Sequence, residues 1–132
     1  MKLLITVIIC LLSIIAHAAT TNIDMNVNLS INGKNIASPR FIVENGKTAS
    51  ATEQVAKEKF WIEVTAQNEQ TVQNKKGILM KFKIGIFNPD GSVKIISQPQ
   101  ILAIPNQQAK IEISDANKNE IALSVLAKVT TK

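Results

Sequence analysis

Four glutamates, Glu53, Glu58, Glu63 and Glu69, recur at intervals of five or six residues and form the acidic series closest to the paired carboxylates of a glycosidase. Against that chemistry, Glu63 alternates with the apolar Ile62 on what reads as the polar face of a strand. The other three stand among lysines in turn-like sequence, the signature of solvated surface charge. Asp90 and Asp115 belong to turn sequences, and a calcium loop would need several more alternating acids. Nucleophilic and zinc chemistry depend on imidazole or thiol groups. The single His17 and single Cys10 both fall within the first 18 residues. Without them the chain cannot build a Ser-His-Asp triad, a Cys-His pair or an ordinary zinc site. The expectation is a protein with no catalytic residues, no metal and no cofactor.

Those first residues read as an export signal: a basic start at Met1-Lys2, an apolar stretch from Leu3 to Ile15, and the small-x-small triplet Ala16-His17-Ala18. A membrane span needs roughly 20 apolar residues, more than this stretch offers. A lipoprotein site at Cys10 is disfavoured by the bulky Ile9 before it. Cleavage after Ala18 would leave residues 19–132 as one domain in the periplasm or outside the cell, with the net charge lowered from +5 to +4 by loss of Lys2. A charge that small and scattered does not point to nucleic acid.

What remains is binding chemistry. Trp61 has apolar strand neighbours, Phe60 and Ile62, that point one way, so its indole points the other. Beside Lys57 and Lys59 it reads as a partner anchor or a sugar-stacking platform, or alternatively as cover for a second core layer. Arg40, the only arginine, is suited to hold a ligand carboxylate bidentately or to tie down a neighbouring acid. Lys81 and Lys83, preceded by Lys75 and Lys76, form either a basic patch or a solvated sheet face that discourages edge pairing.

The elements that would carry these residues are strands. Met25, Val27, Leu29 and Ile31 alternate with Asn26, Asn28 and Ser30 up to the turn signal Asn32-Gly33. Phe41 and Val43, then Phe60, Ile62 and Val64, continue the period of two. Met80, Phe82, Ile84 and Ile86 repeat it, as do Ile111 with Ile113 and Ile121, Leu123 and Val125. Turns are expected at Asn45-Gly46, Asn88-Pro89-Asp90-Gly91, Pro105-Asn106 and Asp115 to Asn119. One segment breaks the pattern: Ser50-Ala51-Thr52-Glu53 has the spacing of a capping box, so a short helix near residues 50–59 competes with a strand.

The halves also align with each other. Met25 to Ile31 precede Met80 to Ile86 by 55 positions, Ile36, Pro39 and Ala49 precede Ile96, Pro99 and Ala109 by 60, and Phe60 to Val64 precede Ile121 to Val125 by 61. The fold expected is therefore all-β, an antiparallel sandwich-like domain with an internal duplication, its half-repeats at about 22–72 and 77–130.

In the paired segments Ser38-Pro39-Arg40-Phe41-Ile42-Val43-Glu44-Asn45-Gly46-Lys47-Thr48-Ala49 and Ser97-Gln98-Pro99 through Ala109, the chain resembles the Ser-x-Pro, apolar, Asn/Gly, Ala signature of the secretin superfamily's β core. The long membrane hairpin and glycine-rich gate of true secretins have no counterpart here. What the resemblance implies is an antiparallel scaffold in a bacterial envelope or secreted setting, with no chemistry carried over. The functional expectation is a non-enzymatic module that binds another protein, with a carbohydrate-binding or glycan-acting protein, or a secreted effector or inhibitor, as alternatives.

Overall fold

The computed structural model describes residues 20–115 and 118–131; the expected leader, residues 1–18, lies outside them. The described chain forms ten strands: β1 (Thr21–Ile31), β2 (Lys34–Ala37), β3 (Arg40–Glu44), β4 (Thr48–Val55), β5 (Glu58–Val72), β6 (Lys75–Phe87), β7 (Val93–Ser97), β8 (Gln100–Ala103), β9 (Gln108–Ser114) and β10 (Glu120–Thr131). They make two five-stranded antiparallel sheets packed face to face. Sheet A runs β2-β1-β10-β9, with β3 beside β2 along the same edge of β1. Sheet B runs β4-β5-β6-β7, with β8 beside β7 along the same edge of β6.

Period-two alternation decides which side chains meet between the layers. Ile23, Met25, Val27 and Leu29 from sheet A face Ile62, Val64, Phe82 and Ile84 from sheet B, all at most 1 % exposed. Pro39 and Pro99 each interrupt an edge strand, yet their carbonyls still accept from Val27 N and Phe82 N, both at 2.9 Å.

The pairing pattern occurs twice. Leu29 pairs with Ala37 and Met25 with Phe41, and at the expected offsets Ile84 pairs with Ser97 and Met80 with Ile101. Both copies carry a register shift at the same place, between Leu29 and Ser30 and between Ile84 and Gly85. Equivalent corner bonds, Gly46 N to Ala66 O at 2.7 Å and Asn106 N to Ala127 O at 2.8 Å, fasten the two crossovers. Yet the halves are interleaved: each sheet takes its first strands from one half and its last hairpin from the other.

Of the two readings of residues 50–59, short helix or strand, the structure shows the strand, turning back as a hairpin. Residues 48–55 are β4, paired with β5 from Thr48 opposite Thr65 to Val55 opposite Glu58, and no helix occurs among the described residues. As a strand, the segment lays Ala49 and Ala51 against the core beside Val64 and Ile62 and fills the backbone bonds of β5. A single capping box on a helix of about two turns cannot match that, because such helices are marginal on their own. Ala56 turns the chain in a two-residue loop at φ 56°.

Candidate binding surfaces

The outer face of sheet B gathers four of the six candidate residues. Trp61 is half-buried there and lies opposite Thr52 on one side and Gly85 on the other. Two residues earlier on the same strand face, Lys59 holds its Nζ 4.8 Å from the centre of the Phe87 ring, a cation–π contact. Two residues later, Glu63 faces Lys83 across the β5–β6 ladder at 3.8 Å. Lys81 follows, opposite Thr65, whose hydroxyl is 2.7 Å from that of Thr48. Ile95, 39 % exposed, extends the row through Trp61 and Gly85 onto the β7 edge. The face thus carries an apolar patch of Trp61, Phe87 and Ile95 next to lysines. Trp61 stands outside the core layer.

Arg40 sits on the opposite side of the molecule, on the outer face of sheet A. Its Nε and Nη2 donate to Asp24 Oδ1 and Oδ2 at 3.0 and 2.7 Å, and Lys128 Nζ approaches Asp24 at 3.9 Å. The hydrogen bonds from Arg40 hold the Asp24 carboxyl below the usual carboxylate range, against the cost of its desolvation, and the charges of Arg40 and Lys128 add to the effect. Asp24 is shielded by these side chains lying over it, for its strand position faces outward. The arginine is therefore committed to an internal acid. Elsewhere this face carries internally bonded polar groups, as in Gln108 Nε2 to Ser124 Oγ at 2.6 Å and Lys110 Nζ to Glu112 at 2.9 Å, beside the exposed Ile42 and Leu126.

Lys57, the sixth candidate, lies at one end of the sandwich, where the hairpin turns after β1, β4, β6 and β9 converge. The sheets splay here around a cleft of about 860 Å³, with Ile31, Ile36, Phe60, Ile86 and Ile96 as its floor and Lys34, Lys57 and Lys94 on its rim. Glu58 and Asp115 also line it, and Asp115 is engaged in its own turn by Asn119 N at 2.8 Å and Asn119 Nδ2 at 3.1 Å.

The four glutamates do not assemble. Glu63 meets Lys83, Glu53 and Glu58 flank the β4–β5 loop, and Glu69 occupies a bulge at φ 57°. Among the described residues no group of three or more His, Cys, Asp or Glu could hold a metal ion, and no helix is long and apolar enough to cross a membrane. Comparison with known protein families, curated proteins and solved structures finds no match.

Sequence reasoning passed over the cleft and the exposed Ile42 and Leu126 on sheet A, 61 % and 44 % exposed. A signal existed for each. Ile42 and Leu126 complete unbroken apolar runs, Phe41-Ile42-Val43 and Val125-Leu126-Ala127, where alternation would place a polar residue. Lys34 and Lys94 obey the same offset of 60 positions as Ile36 and Ile96.

Proposed function

We propose that this chain is an exported, secretin-like, non-enzymatic module that binds another protein through the outer face of sheet B. The observation that carries the reading is the placement of Trp61: half-buried on an outer face, between Thr52 and Gly85, with Phe87 beneath Lys59 and Ile95 exposed nearby. An indole at the surface offers a large rigid contact area at low entropic cost, and flanking aliphatic and aromatic groups let a partner exclude water around it. Lys59, Lys81 and Lys83 bias the surface toward a partner with acidic residues beside its apolar contact. The absence of His and Cys from residues 20–131 supports a binding role over hydrolytic chemistry.

The test is crosslinking of the native protein in envelope extract and culture medium, repeated with Trp61→Ala. The expected result is one specific protein partner, lost in the variant while the far-ultraviolet circular dichroism stays that of a β protein. It is retained in Glu53→Gln and Glu58→Gln. Partner capture that ignores Trp61 ends this assignment. A glycan-array signal that requires Trp61 replaces the protein partner with a carbohydrate.

A further inference from the structure

The registers of the two halves fix which residues are equivalent, and most identities between them serve the fold. Met25 and Met80 are core, Pro39 and Pro99 break the edge strands, and Ala66 and Ala127 accept the corner bonds. Among the strand positions, one charged residue type recurs. Lys34 is paired with Ile31, and at the equivalent place Lys94 is paired with Ile86. Both lysines are exposed, so packing does not require them. Both nonetheless line the same end cleft, brought there from the two sheets by the interleaving of the halves.

The cleft's chemistry is two-part. Its floor is aliphatic and aromatic, with Ile31 and Ile36 of one half meeting Ile86 and Ile96 of the other over Phe60. Its rim carries three lysines and two acids, a net positive set: among the described residues Lys34, Lys57 and Lys94 form no ion pair, Glu58 follows Lys57 at the β4–β5 turn, and the Asp115 carboxylate accepts from Asn119. The volume of about 860 Å³ lies within the range of sites that enclose a small organic ligand. An apolar trough ending in unpaired ammonium groups is complementary to a molecule with a hydrocarbon body and one anionic head.

We propose that this cleft binds a medium-chain fatty acid, its alkyl chain on the isoleucine and phenylalanine floor and its carboxylate held by Lys34 and Lys94, with Lys57 adding to the field. The proposal is independent of the protein-binding face, which lies on the outside of sheet B.

Calorimetric titration of the purified native protein with octanoate, decanoate and dodecanoate, each below its micelle concentration, tests it. Saturable binding of one molecule per chain is expected, tightening severalfold with each added pair of methylenes. Lys34→Ala combined with Lys94→Ala should weaken dodecanoate about tenfold, and Lys75→Ala, on the β5–β6 hairpin at the other end, should leave it unchanged. Three results would overturn the proposal: no saturable uptake, dodecanol bound as tightly as dodecanoate, or affinity unaffected by loss of both lysines.

Discussion

Trp61 lies directly across the β5–β6 ladder from Gly85, and a methyl group on that glycine would stand 2.5 Å from Val93 Cγ1 and 3.0 Å from the Lys94 carbonyl oxygen. The missing side chain lets β7 fold close over β6 within cross-strand reach of the indole. Gly85→Ala must push this edge strand outward. The expected loss is about 1–3 kcal/mol of stability with a shifted Trp61 emission, read together in a denaturant titration followed by fluorescence.

Gly77→Ala should cost more. A Cβ there meets the Ala103 carbonyl oxygen at 2.5 Å and its carbon at 3.2 Å, backbone atoms that no rotamer change can move aside. Relief requires separating β8 from β6, so the denaturation midpoint of Gly77→Ala should fall below that of Gly85→Ala.

Phe82 is 1 % exposed at the centre of the inter-sheet core, whereas Leu126 is 44 % exposed on sheet A. Phe82→Ala should lose about 3–5 kcal/mol through lost transfer energy and the cavity left behind, a large share of a small domain's stability. Leu126→Ala should stay within about 0.5 kcal/mol. Paired urea titrations separate the two.

Acid sensitivity should trace to Asp24. Its carboxyl ionises at lower pH in the folded chain than in the unfolded one, because Arg40 donates two hydrogen bonds to the ionised form. The stability it contributes is therefore fully present above the unfolded carboxylate value of about 3.9 and is lost as pH falls through the lower folded value. Melting temperatures recorded from about pH 6 down to about pH 2 should show a steeper decline for the native protein than for Asp24→Asn.

Ala56, at φ 56°, holds a backbone conformation that costs an L-residue about 1–2 kcal/mol. Ala56→Gly removes that strain while adding about 0.5–1 kcal/mol of unfolded-chain entropy. The expected result is a net gain of up to about 1 kcal/mol, visible as a raised thermal midpoint.

Much of the sheet framework was legible because alternation is a local property. The runs from Met25 to Ile31 and from Met80 to Ile86 announced both the strands and their buried faces, and Asn32-Gly33 announced its two-residue turn. The capping-box signal at Ser50 to Glu53 left helix and strand undecided because a capping box is also local. It carried no information about Val64 and Ile62, which draw Ala49 and Ala51 into β4. The Trp61 position was half legible: its outward direction followed from Phe60 and Ile62, but the glycine it faces did not.

By itself the sequence determined the alternating strands other than β4, their core-facing residues, the repeat offsets of 55, 60 and 61 positions, and the confinement of thiol and imidazole to residues 10 and 17. Tertiary structure alone decided that the halves interleave, and with that the meeting of Lys34 with Lys94 at one cleft and the commitment of Arg40 to Asp24. The reason is physical: period-two patterning records which face of a strand leaves water. The choice of neighbouring strand is made by contacts between residues tens of positions apart, whose energies no local pattern encodes.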